Sequence, residues 1–138
     1  MNIVITDGFT LNPSDLSWDA INQLGNVTYF DRSKPSELAE RCKNAHIILT
    51  NKTPISAELM AQCLDLQLVC VTATGFNMID AQAAKARNIM VCNVPGYSTN
   101  AVAQQTFALL LELSNRVGDH AQKVKSGHWV NAQDWCFQ

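Results

Sequence analysis

The 138-residue chain has no surplus of positive charge: ten Lys plus Arg stand against twelve Asp plus Glu, a formal net charge of -2. The basic footprint that a phosphate backbone or an anionic lipid surface selects is therefore missing, and neither nucleic acid nor membrane is an expected partner. Long apolar runs are missing too. The longest, 101–113, is broken by Gln104, Gln105, Thr106 and Glu112, well short of the ~20 residues that cross a bilayer. Ile3, Val4 and Ile5 meet Asp7 before a secretory apolar region develops. The five cysteines, at 42, 63, 70, 92 and 136, form no C-x-x-C pair. That pattern excludes a disulfide framework and points to a reducing compartment, most simply the cytoplasm, and four of the five sit in apolar or helical contexts as small buried hydrophobes.

Familiar chemical signatures are absent as well. His46, His120 and His128 have no metal-ligand spacing with one another or with cysteine. No G-x-S-x-G elbow, P-loop or G-x-G-x-x-G occurs, because the glycines at 8, 25, 75, 96, 118 and 127 stand too far apart. The length suits one compact domain and leaves no room for two. With 47% hydrophobic residues, a chain of this size buries roughly two-thirds of the surface it exposes when unfolded.

What is present is an alternation. Short Val- and Ile-rich runs begin near Ile3, Val27, Ile47, Leu68 and Met90, at intervals of 24, 20, 21 and 22 residues, the length of a strand plus a helical crossover. Between them, Ser14 to Leu24, Ser36 to Asn44, Ser56 to Cys63 and Asp80 to Ala86 have helical composition. Ser14, Ser36 and Ser56 read as hydroxyl caps with carboxylates in the following turn, and Gly25 as a left-handed end of the first helix. Runs such as Leu68-Val69-Cys70-Val71 predict burial on both faces of a parallel sheet. The fold expected is a doubly wound α/β domain with a five-stranded parallel sheet. Ser98, Thr99 and Asn100 offer caps to a long helix from Ala101 to about Lys125, bent at Gly118 and closed by Gly127; its first half is apolar on nearly every side and needs cover all round. Beyond Gly127 there is no clear period, yet Trp129, Trp135 and Phe137 need something to pack on.

Ligands of open α/β sheets bind outside the carboxyl ends of the strands. Three loops lie there. Asp7-Gly8-Phe9-Thr10 reads as a glycine turn with Asp7 as its cap. In Thr50-Asn51-Lys52-Thr53-Pro54, Asn51 and Lys52 could receive a substrate carboxylate, or could equally be ordinary loop residues. In the 72–80 segment, Gly75 could let backbone N–H groups turn inward to hold an anion with the Thr74 hydroxyl beside them, or could serve a plain strand-to-helix turn capped by Asn77 or Asp80.

With the loops placed, four stretches carry a resemblance: Ile5 to Asn12 with Asp15 to Trp18, Leu49 to Lys52, Ala73 to Asp80, and Asn93 to Gln104. Together and in order they resemble the D-isomer-specific 2-hydroxyacid dehydrogenases, particularly the glycerate dehydrogenase or hydroxypyruvate reductase branch. The resemblance implies a flavodoxin-like substrate lobe at 1–97, an interdomain crossover helix at 98–126 and a linker at 127–138 leading to an absent Rossmann lobe. It implies that Asn51, Lys52 and Gly75 line the substrate carboxylate pocket, that Thr74 approaches the nicotinamide end of NAD or NADP, and that Val102 packs beside it. Gln104-Gln105 stands where many relatives carry Glu followed by His. The family's catalytic Arg, Glu and His fall in the absent lobe. The 138 residues alone are therefore expected to be inactive and to bind cofactor poorly, with a homodimer at full length and self-association of this chain through 101–113. A reading of another class stays open: a self-standing, non-catalytic α/β module that binds anions or a partner.

Overall fold

The computed structural model describes residues 1–134. The chain divides into two compact units, Met1–Gly96 and Tyr97–Gln138.

In the first unit, β1 (Asn2–Ile5), β2 (Asn26–Tyr29), β3 (Ile47–Thr50), β4 (Leu68–Val71) and β5 (Met90–Cys92) form one parallel sheet in the order β2-β1-β3-β4-β5. The strands fall where the Val and Ile runs lie, and the order is the flavodoxin-like one, with its topological switch beside β1. Helices α1 (Asp19–Asn22), α2 (Pro35–Cys42), α3 (Ala57–Gln62) and α4 (Ala81–Ala86) link them. Register places Val4 beside Ile48, Ile48 beside Val69 and Val69 beside Val91. This row meets Leu38 and Cys42 of α2, Leu59 and Met60 of α3 and Ala84 of α4 in the core.

Period 2 along a strand sends alternate residues to the opposite face, and there the cover thins toward β5. Ile3 and Ile5 are buried, Leu68 and Cys70 are half-buried, and Met90 is 66% exposed. The expected two-sided burial of Leu68 to Val71 is thus only half met, since α2, α3 and α4 all pack on the Val69 side.

Local chemistry explains where helices depart from expectation. The segment 14–18 is not helical: the Asn12 side chain accepts the Ser14 and Leu16 N–H groups at 3.0 Å each and donates to the Leu16 carbonyl at 2.7 Å. Ser14 there takes φ 83°, so α1 shrinks to one turn. In α2, Lys34 rather than Ser36 is the capping residue, with Pro35 at the first helical position and the Glu37 carboxylate accepting the Lys34 N–H at 2.8 Å. Ser56 and Asp80 cap α3 and α4 through Leu59 N–H and Ala83 N–H.

The second unit holds α5 (Thr99–Asn115), α6 (Val117–Lys125) and α7 (His128–Asn131). The long helix breaks at Arg116, which takes φ 49°, and not at Gly118. The Glu112 carboxylate accepts the Gly118 N–H at 3.0 and 3.2 Å, closing the start of α6. Gly127, at φ 81°, follows the end of α6 as expected. No side chain of α5 is buried, and Phe107, Leu109, Leu110, Leu111 and Leu113 are exposed. Trp129 is exposed on α7, while Trp135 and Phe137 lie outside the described residues. Among the described residues no helix is long and apolar enough to cross a membrane.

Gly25 does not take a left-handed conformation; its role is close approach. A Cβ there would stand 2.4 Å from the Met1 carbonyl oxygen, beside the Asn26 N–H to Met1 O bond that opens the β1–β2 ladder. Gly25→Ala is expected to cost about 1–3 kcal/mol through overpacking, read as a lowered denaturation midpoint with helix content retained.

Candidate functional site

Three strand ends, those of β1, β3 and β4, converge at the carboxyl edge of the sheet. Asp7 follows β1 and is buried. Its carboxylate accepts three consecutive backbone N–H groups of the loop after β3: Asn51 at 2.9 Å, Lys52 at 2.6 Å and Thr53 at 3.0 Å. The Thr6 hydroxyl lies 3.3 Å from both Asp7 Oδ1 and the Leu49 carbonyl and shares its single proton between them. Asp7 stands at the N-cap position of its own turn, as expected, but its side chain makes no capping bond there. A carboxylate that must leave water finds its compensation in such charge-assisted donors, and these three lie 44 to 46 residues away in sequence. Local pattern could not reveal that partnership; the signal available was an acidic residue directly after an apolar strand.

The consequence for Asn51 and Lys52 is a division of labour. Their backbone donors belong to Asp7. The Asn51 side-chain amide donates to Thr10 Oγ1 at 2.9 Å, tying the β3 loop to the β1 loop, so its donor side is engaged in structure. Lys52 is exposed, and among the described residues no ion pair engages its ammonium.

The β4 loop is arranged differently. The Thr72 N–H donates to the Thr50 carbonyl at 2.8 Å, which sets the two loops side by side. Thr74 Oγ1 donates to the Val94 carbonyl at 3.0 Å, Asn93 Nδ2 donates to the Thr74 carbonyl at 2.8 Å, and Val94 N–H donates to the Ala73 carbonyl at 3.1 Å. The turn is thus held by its carbonyls and by one hydroxyl proton. The backbone N–H groups of Thr74, Gly75 and Phe76 take no partner among the described residues, and all three residues are exposed. Gly75 has no positive φ, and a Cβ on it would make only ordinary contact, 3.5 Å from Asn77 Oδ1. Nothing inside the unit demands glycine at 75. What its bare Cα provides is open room over a run of unused donors.

The structure therefore brings Asn51, Lys52, Thr74 and Gly75 to one edge of the first unit and places Val102, 61% exposed, on α5 in the second. His46 lies at the other end of the sheet, where its Nδ1 accepts the Asn2 N–H at 3.1 Å. No group of three metal-ligating side chains gathers among the described residues.

A five-stranded parallel sheet in this order, with open backbone donors past one of its strands, defines an α/β unit of flavodoxin-like type. Residues 3–129 match the family model for the catalytic domain of D-isomer specific 2-hydroxyacid dehydrogenases. A hydroxypyruvate reductase of Blautia hydrogenotrophica is 42% identical over 99% of this chain and 44% of its own length. A glycerate dehydrogenase of Methylorubrum extorquens is 35% identical over 75% of this chain and 33% of its own. Among solved structures, an acyclic imino acid reductase in complex with NADPH and D-Arg superposes with a TM-score of 0.76 at 27% identity, covering 92% of this chain and 41% of that one. A D-2-hydroxyisocaproate dehydrogenase shares the fold, with a TM-score of 0.74 at 20% identity over 100% of this chain and 43% of that one. The chain belongs to the D-isomer specific 2-hydroxyacid dehydrogenase family. It spans less than half the length of these relatives.

Replacing Asp7 by Asn keeps one carbonyl acceptor but turns an NH2 group toward backbone donors. The expected cost is about 3 kcal/mol, since charged hydrogen bonds contribute ~1.5–3 kcal/mol each and orphaned donors add to the loss. Hydrogen exchange should accelerate first at the amides of Asn51, Lys52 and Thr53; unchanged protection there would contradict the role given to Asp7.

Proposed function

We propose that this chain forms the substrate-carboxylate half of an NAD(P)-dependent D-2-hydroxyacid dehydrogenase acting on a small 2-oxo or 2-hydroxy acid of the hydroxypyruvate and glycerate kind. The observation that carries the reading is the set of N–H groups at Thr74, Gly75 and Phe76 that take no partner among the described residues, beside a loop whose Lys52 ammonium enters no ion pair among them. Backbone donors and a cation supply the charge-assisted bonds that a carboxylate needs, and a bare Cα lets the acid approach. Asn51 acts as a positioning residue through Thr10. The Thr74 hydroxyl, its proton directed at Val94 O, keeps lone pairs for the nicotinamide carboxamide edge, and Val102 of the second unit offers exposed apolar surface to the cofactor.

A dinucleotide fits these residues only in part. Nothing in the sequence forms a glycine-rich phosphate turn, so its pyrophosphate has no seat here. A bound nicotinamide would supply the hydride chemistry; this chain's own residues bind and orient the acid so that its reaction is effectively intramolecular. Residues 1–97 are then the substrate lobe, 98–126 the crossover and 127–138 the linker toward a cofactor lobe. A cytoplasmic setting accords with cysteines that lack framework spacing.

The test joins this chain to the cofactor lobe of the 42%-identical hydroxypyruvate reductase. The chimera should oxidise NADH with hydroxypyruvate, whereas the 138 residues alone should show no turnover. Lys52→Met in the chimera should raise KM roughly 10- to 100-fold, the equivalent of one charged hydrogen bond of ~1.5–3 kcal/mol. Gly75→Ala should do likewise while leaving stability within about 0.5 kcal/mol. Turnover by the isolated chain, or unaltered KM in both variants, would remove the reading.

The exposed apolar side chains of α5 further lead us to propose that the 138-residue chain pairs with a second copy through 101–113, as contiguous apolar surface usually does. Sedimentation should show mass rising above the monomer with concentration, and Leu109→Glu with Leu113→Glu should abolish the rise; a monomer at all concentrations would refute the pairing.

A further inference from the structure

Two thiols stand together on the thinly covered face of the sheet. Cys70 of β4 and Cys92 of β5 are direct register partners in adjacent parallel strands, and their sulfurs lie 3.3 Å apart. Neighbouring strands run about 4.8 Å from one another, inside the ~4.4–6.8 Å window of Cα separations that a disulfide spans. The side chains share one face, so side-chain rotation can bring the sulfurs from contact to the bonded distance of about 2.0 Å. Access is asymmetric. Cys92 is exposed, with Met90 beside it 66% exposed, while Cys70 is half-buried. The other described cysteines, Cys42 and Cys63, are buried in the core behind the opposite face.

We propose that Cys70 and Cys92 form a redox modification site that closes to an intrachain disulfide by exchange with a low-molecular-weight disulfide of the glutathione class. Cys92, the accessible thiol, loses its proton to solvent and attacks one sulfur of the small disulfide. An S–S bond forms to Cys92, the small disulfide's own S–S bond breaks, and the first thiol leaves. Cys70 then loses its proton, attacks Cys92 Sγ and expels the second small thiol. Two protein thiols are oxidised, one small disulfide is reduced to two thiols, and the two protons end on the departing sulfurs. Burial, with the hydrogen bond to Cys92 adding to it, pushes the Cys70 thiol up to about 12; this accords with Cys92 reacting first.

The location gives the bond a consequence. Asn93, the residue after Cys92, donates to the Thr74 carbonyl, and Val94 receives the Thr74 hydroxyl proton. A covalent tie between β4 and β5 therefore forms directly beneath the turn that carries the open N–H groups. The inference itself rests on sulfur geometry and access, and stands whatever ligand that turn takes.

The 138-residue chain, fully reduced, is exposed to graded ratios of oxidised to reduced glutathione, quenched with acid, digested with trypsin and analysed by mass spectrometry. The expected product is peptide 53–85 joined to peptide 88–116 with loss of two hydrogens, fragmentation placing the bond at Cys70, not Cys63. It should outnumber the glutathione adduct of Cys92 at least tenfold. Cys70→Ser should invert that ratio and leave the adduct on Cys92; Cys92→Ser, an exposed change that does not threaten folding, should abolish both products. A wild-type adduct on Cys92 that persists without the cross-link, or a cross-link to any other cysteine, would overturn the proposal.

Discussion

The carboxyl edge of this sheet hangs on one buried carboxylate. Asp7 gathers the N–H groups of Asn51, Lys52 and Thr53, and so converts a polar loop after β3 into a fixed rim beside the loop after β1. The cost of taking a charge out of water is met by bonds to backbone groups that would themselves be orphaned without it. The same bonds occupy the backbone donors of the β3 loop. The donors left open are one strand along, at Thr74 to Phe76.

That second loop is supported from beneath by β5. Asn93 and Val94 hold Thr74 by its carbonyl and hydroxyl, so the edge strand, only three residues long, positions the turn whose N–H groups stand open. The same strand carries Cys92 against Cys70. Strand order puts β5 at the edge beside β4, and cover is thin on one face because α2, α3 and α4 pack on the Val69 side. The opposite side is well covered only near β1, where Ile3 and Ile5 are buried.

Much of the architecture was legible in the sequence. Strands beginning near Ile3, Val27, Ile47, Leu68 and Met90 emerge because Val- and Ile-rich runs of four or five residues between breakers have few alternatives. Ser56 and Asp80 were readable as caps because a cap is a bond across three residues. The failures are also local in cause. Ser14 to Trp18 had helical composition, yet Asn12 captured its backbone; Gly118 looked like the bend, but Arg116 takes the left-handed conformation while Glu112 caps Gly118. Such competition between side chain and helix for the same N–H groups leaves no periodic trace.

By itself the sequence determined the fold class, the family resemblance and the loops that stand at the strand ends, since these depend on patterns within a few residues or on motifs read in order. Only the tertiary structure decided what each loop residue has left to offer. Asp7, at the N-cap position of its own turn, directs its carboxylate at a loop more than forty residues away. Asn51 had its amide committed to Thr10, and Gly75 stood without internal need of glycine. The pairing of Cys70 with Cys92, 22 residues apart, likewise required the β4–β5 register. Hydrogen-bond partners and sulfur contacts across strands are set by which strands become neighbours, and that neighbourhood is a property of the folded sheet.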